Sequence, residues 1–205
     1  MAFVLFDLDD TLYHHSTGVL AEIDRRITQF TSQYLGLPAA EADAMRRRTI
    51  SRYGTTLQWL RVCQDLKDPD VYLRDVHPVN LEDFIPPDPV LRRYLENLPA
   101  DFVLFTNSPL EHAEKALKAL GVEDLFPRIW DIRRLGFRGK PHKEAYLRIL
   151  GDLGLRPDET VLVDDSLANI TGFRNIGGHG IHVGKGPLTD WMAELDSLLA
   201  GGSLG

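Results

Sequence analysis

Four acidic side chains stand out for where they fall. Asp7 and Asp9 follow the apolar run Phe3-Val4-Leu5-Phe6, and Asp164 and Asp165 follow Val161-Leu162-Val163. A third apolar run, Phe102-Val103-Leu104-Phe105, stops at Thr106-Asn107, and Lys140 stands just before Pro141 at the head of a helical pattern. Four carboxylates in one crevice would repel one another, so the set makes sense only around a cation. All-oxygen ligands select a hard ion such as Mg²⁺. Such an ion would neutralise a phosphoryl group and align it for in-line attack, with Lys140 and the Thr106 hydroxyl holding further phosphate oxygens. Asp7 is then placed as a carboxylate nucleophile, which splits ester hydrolysis into two displacements through an acyl phosphate. Asp9, two residues on, can protonate the leaving alkoxide and later take a proton from water.

Taken singly, each residue has a duller reading. An Asp-x-Asp pair is usually a turn or a helix cap, Thr106 a strand end, Lys140 a solvated charge, and Asp164-Asp165 an N-cap pair. Their conjunction argues otherwise, because each stands at a strand end or a helix start. In a parallel α/β sheet those ends share one crevice.

The elements that must position these residues are legible. Short apolar runs rich in β-formers predict buried parallel strands at Phe3–Phe6, Phe102–Phe105 and Val161–Val163, with weaker strands at 128–131 and 180–183. Ser108-Pro109-Leu110-Glu111 predicts an N-cap, a proline at the first helical position and a capping-box glutamate, in a helix closed by Gly121. Further helices are expected from Pro141 to Gly151 and from Ser166 to Asn175. Alternating strand and helix implies an open, parallel α/β sheet.

Between Ser16 and Asp83 the strand-like runs vanish and apolar residues fall at helical intervals, as in Val19, Ile23, Ile27, Phe30 and Tyr34. This predicts an all-helical domain inserted after the first strand, over residues 16–85, with residues 1–15 and 86–205 forming the α/β core. The run Ile85-Pro86-Pro87-Asp88-Pro89 marks the return to that core. Gly201 to Gly205 reads as a frayed tail.

With 205 residues and a net charge of −7, the chain can bury one full core, and its acidity argues against nucleic acid or an anionic membrane as partner. Cys63 is the single cysteine, which excludes an internal disulfide, fits a reducing compartment and reads as a buried core thiol. The apolar stretch Ala2–Phe6 is too short for a signal peptide and no stretch approaches a membrane span, so a soluble, cytoplasmic protein is expected.

These motifs resemble those of the haloacid dehalogenase superfamily. Asp7-Leu8-Asp9-Asp10-Thr11-Leu12 is similar to its first motif, the strand ending in Thr106-Asn107 to its second, Lys140-Pro141 to its third and Val163-Asp164-Asp165-Ser166 to its fourth. The resemblance implies a Rossmann-like core with a helical cap after the first strand. It also implies that Asp7 is nucleophile and metal ligand, and that Asp9 is acid/base, with its backbone carbonyl on Mg²⁺. Thr106, Asn107 and Lys140 would bind the substrate phosphate, and Asp164 and Asp165 would complete the metal shell. The dehalogenases proper lack the second aspartate, so Asp9 argues for phosphate chemistry. Leu12-Tyr13-His14-His15-Ser16-Thr17, Tyr53-Gly54 and Lys140-Pro141-His142 further resemble the pyrimidine 5′-nucleotidases, which dephosphorylate UMP and CMP. Sugar phosphates, vitamin phosphates and a β-phosphoglucomutase-like phosphoryl return are the alternatives.

A signalling receiver domain gathers a similar set, but there the acidic pair comes first and no helical insertion intervenes. Other features are read more plainly. His14-His15 lacks metal-ligand spacing. Arg46-Arg47-Arg48 is read as a solvated helix face, since one helix cannot aim three successive side chains at one site. Gly184-Lys185-Gly186 lacks the remaining residues of a phosphate loop. His142 and Lys143 are read as ordinary helix-start residues, and Tyr53 and Trp59 as core of the helical block.

Overall fold

The computed structural model describes residues 2–201. Five parallel strands, β1 (Phe3–Phe6), β2 (Asp101–Phe105), β3 (Ile129–Trp130), β4 (Thr160–Asp164) and β5 (His179–His182), lie in the order β3-β2-β1-β4-β5. The parallel α/β sheet expected from the sequence is therefore present, Rossmann-like in its strand order. Successive side chains of β1 alternate between two apolar layers. Val4 and Phe6 pack with Leu91, Ala113, Leu117 and Trp191, whereas Phe3 and Leu5 pack with Tyr146, Ile149, Ile170 and Phe173. Both faces of β1 are covered, which is why the strand reads as an unbroken apolar run.

The register fixes the level of the strand ends. Phe6 pairs with Leu104 of β2 and with Val163 of β4, so Asp7 and Asp164 lie side by side and Thr106 one step beyond. Just past Asp9 the chain turns at Asp10, whose φ of 54° is left-handed, a conformation aspartate tolerates better than most residues.

Helices α1 (Val19–Leu35), α2 (Ala39–Tyr53), α3 (Thr56–Cys63) and α4 (Pro69–Val76) follow, with no strand among them. Leu57, Trp59, Leu60, Tyr72, Leu73 and Val76 form their apolar cluster, joined by Ile132 from the loop after β3. The chain returns through α5 (Pro89–Glu96), then α6 (Leu110–Leu120), α7 (Lys143–Leu153), α8 (Leu167–Arg174) and α9 (Thr189–Ala200). Among the described residues, no helix is long and apolar enough to cross a membrane.

Several local expectations are corrected. Helix α7 runs through Gly151 and ends at Gly154, which takes the left-handed C-cap with φ 68°. Ser108 does not cap α6. That helix starts one residue later, and its Leu110 amide donates 3.2 Å to Asp131 Oδ2. Glu111 makes no capping box, because its carboxylate pairs with Arg133 at 2.7 Å. Cys63 is exposed rather than buried, lying at the last turn of α3 with Sγ 3.0 Å from the Tyr53 hydroxyl. The expected frayed tail, Gly201–Gly205, lies outside the described residues beyond Gly201.

Candidate active site

A cavity of about 360 Å³ opens over the carboxyl ends of the sheet. Asp7, Asp9, Thr106, Asn107 and Asp165 line its floor, and Ile23, Ile27, Ile50, Leu57, Tyr72 and Arg46 line the wall contributed by α1–α4. Lys140 stands beneath it, 1% exposed, with Nζ 2.8 Å from Asp7 Oδ1 and 2.6 Å from Asp164 Oδ2.

Residues of the expected set, together with Thr11 and Asn169 beyond it, hold this floor in place. Asn107 donates through Nδ2 to the Lys140 carbonyl at 3.0 Å and accepts from the Lys140 amide at 2.8 Å, so its side chain fastens the Lys140 loop. A Cβ on Gly139 would sit 2.0 Å from Asn107 Oδ1, which explains a glycine there. The Thr106 hydroxyl accepts from the Ser108 amide at 3.0 Å. Thr11, fully buried, accepts from the Asp165 amide at 3.1 Å and ties the loop after β1 to the loop after β4. Asn169 donates to both oxygens of Asp164, at 2.9 and 3.0 Å.

Electrostatics sorts the carboxyl groups into two settings. Burial pushes the Asp7 carboxyl well above the usual carboxylate range; Lys140 opposes the shift, and Asp164, Asp165 and Asp9 add to it. Burial and the Asp164 charge push Asp165 up to about 7. Burial would likewise lower Lys140, but the charges of Asp164 and Asp7 prevail and hold it above its ordinary value. Asp9 is the reverse case. Burial alone would raise it, yet the His112 charge and hydrogen bonds from His112, Ser108 and Tyr13 hold it below the usual range.

One oxygen each from Asp7, Asp164 and Asp165 lies within 4.8 Å of the others. Three ionised carboxylates against one ammonium leave two negative charges, which a divalent cation balances, and an all-oxygen donor set suits Mg²⁺. The Asp9 side chain is not part of this group. Its Oδ1 accepts from the Tyr13 hydroxyl and from His112 Nε2 at 2.7 Å, and its Oδ2 from Ser108 Oγ at 2.6 Å.

Arg46 corrects the reading of the arginine run as a solvated face. It is 2% exposed and pairs with Asp24 at 2.6 Å and Asp43 at 2.7 Å, while Arg47 and Arg48 remain exposed. His142 has more than a helix-start role, since its Nε2 donates 2.8 Å to the Tyr53 carbonyl and so links the start of α7 to the end of α2. Neither Tyr13, Ser108 nor His112 carries a sequence signal for contact with Asp9. The nearest hint is a histidine four residues after Ser108 that falls on the apolar face of α6.

Residues 1–177 match the haloacid dehalogenase-like hydrolase family. The chain belongs to that family. The chain is 28% identical over 211 residues to Phosphate metabolism protein 8 of Saccharomyces cerevisiae, covering 95% of this chain and 64% of that protein. It therefore spans somewhat less than two thirds of that relative's length. It is also 28% identical over 188 residues to Phosphoglycolate phosphatase of Pectobacterium atrosepticum, covering 84% of this chain and 77% of that one. Among solved structures, a HAD phosphatase from Thermococcus onnurineus shares the fold, with a TM-score of 0.62 at 21% identity, covering 99% of this chain and 100% of that one.

Proposed function

We propose that this hydrolase is a magnesium-dependent phosphatase of small phosphate monoesters that works through an aspartyl-phosphate on Asp7. The observation behind this reading is the presence of two carboxyl groups in opposite electrostatic settings on one cavity floor. Asp7 sits beside Lys140 and the Asp164–Asp165 cluster, and Asp9 sits under three hydrogen-bond donors.

Asp7, Asp164 and Asp165, with the backbone carbonyl of Asp9 as the motif resemblance implies, would hold Mg²⁺. When bound, the ion would neutralise phosphoryl charge. An Asp7 carboxylate oxygen attacks phosphorus as the bond to the leaving oxygen breaks, and Asp9 gives that oxygen a proton. That proton comes from solvent in the first turnover and from the attacking water in each later one. Water then attacks the acyl phosphate and loses a proton to Asp9, and Asp7 is regenerated as inorganic phosphate departs. Thr106 and Lys140 hold phosphoryl oxygens, and Asn107 acts on substrate through the Lys140 loop it fastens. Residues 16–85 serve as a cap over a core of residues 1–15 and 86–205. A cytoplasmic setting suits a chain with one cysteine.

Within this class we favour the pyrimidine nucleotides UMP and CMP over sugar or vitamin phosphates. The apolar wall with Tyr72 suits a flat base, the paired Arg46 and Asp24 offer it polar edges, and the cavity volume suits a small ligand. The names of the two relatives support phosphate esters as the general class. Phosphate release from UMP, CMP and a panel of small esters, with Asp7→Asn beside the parent, tests the reading. We expect a loss of about 10³-fold or more in that variant. Activity persisting in Asp7→Asn removes the nucleophile role, and nucleotide rates no better than the panel remove the nucleotide preference.

A further inference from the structure

We propose that Tyr13, Ser108 and His112 form a clamp that fixes the Asp9 carboxylate and leaves Oδ2 as the atom that exchanges a proton with the substrate. The clamp rests on the reading of Asp9 as acid/base. Its three donors come from separate places in the fold: the loop after β1, the loop after β2 and the first turn of α6. An ionised carboxylate offers about two acceptor positions per oxygen. Oδ1 receives both the Tyr13 hydroxyl and His112 Nε2, whereas Oδ2 receives Ser108 Oγ and keeps one position open among the described residues.

His112 is held for this contact at some cost. Its side chain is fully buried, its ring lies 4.8 Å from that of His77, and its Nδ1 has no hydrogen-bond partner among the described residues. A buried polar atom left unpaired is a standing penalty, so the ring's place is explained by what its other nitrogen does. Ser108 adds a second sign of the same purpose, because its hydroxyl turns to Asp9 and the capping of α6 is left to Asp131. A proton-transfer group needs its direction fixed within narrow limits, and three donors from three elements supply that. These are positioning residues, acting on the substrate through Asp9.

The clamp is tested by kcat/KM, which covers the steps up to departure of the leaving alcohol, on p-nitrophenyl phosphate and on glycerol phosphate. The poorer leaving group depends more on an acid. Asp9→Asn is the reference, and its loss is expected to be greater on glycerol phosphate. His112→Ala should reproduce that selectivity, with a loss about tenfold greater on glycerol phosphate, and His112→Gln, whose amide can replace the Nε2 donor, should recover part of it. Ser108→Ala and Tyr13→Phe should show the same selectivity at smaller size, and they decide the matter if His112→Ala does not fold. Uniform losses or none in these variants, with selectivity kept in Asp9→Asn, overturn the clamp. Absence of selectivity in Asp9→Asn itself overturns the acid/base reading of Asp9 instead.

Discussion

Lys140 Nζ lies 2.6 Å from Asp164 Oδ2, and neither side chain has any solvent exposure. The two residues come from different βα units, and the ammonium compensates a second carboxylate of the cluster as well, lying 2.8 Å from Asp7 Oδ1. Removing one partner of a buried pair leaves an uncompensated charge, which is costlier than the pair's own net worth.

Lys140→Met should therefore destabilise the protein by about 3–5 kcal/mol, read from the urea midpoint in EDTA. Because Asp7 and Asp164 then face each other without a cation, added Mg²⁺ should recover part of the loss. Equal stability with Lys and Met at this position would refute the pair's structural role.

Metal removal should silence phosphate release, with Mg²⁺ restoring it. A binding readout separates the ligands from chemistry: Mg²⁺ should raise the melting temperature of the parent as any ligand of the folded state does. Asp164→Asn should abolish that rise. A rise of the same size in the variant would remove Asp164 from the metal shell.

His77 should make the protein acid-sensitive. Burial and the neighbouring His112 charge lower His77 from 6.5 to about 4, although its Nδ1–H donates 2.7 Å to the Leu73 carbonyl. On acidification the unfolded chain takes up this proton below its ordinary value, and the folded chain only near the lowered one. Stability is therefore intact above the ordinary value and falls as pH drops through that window, at about 1.4 kcal/mol per pH unit. Urea midpoints measured across the window should slope more gently in His77→Phe than in the parent. Parallel slopes would contradict the assignment.

Arg46→Met keeps the buried stem and deletes the charge. Losing charge-assisted bonds to partly exposed Asp24 and Asp43 should cost about 1–3 kcal/mol, less than the Lys140 change because water reaches both carboxylates. A variant as stable as the parent would show that the pairs add nothing.

The α/β architecture and the floor of the site were legible from sequence because both rest on local signals. A fully buried strand shows as an apolar run, and a ligand crevice lies where such runs stop. Thus Asp7, Thr106 and Asp164 could be placed before any contact was known. Asp9's surroundings could not, because Ser108 and His112 lie 99 and 103 residues away in the chain. Only the packing of α6 against the sheet brings them together. Ser108 reads as a cap in isolation and is turned to Asp9 by that packing. The same reason separates Arg46 from Arg47 and Arg48 and leaves Cys63 exposed. Helical spacing tells which residues share a face, but which face is buried depends on what packs against it. The sequence by itself determined the strands and the charged residues that end them. The tertiary structure alone decided which distant donors hold Asp9, because hydrogen bonds between separate elements leave no periodicity in the chain.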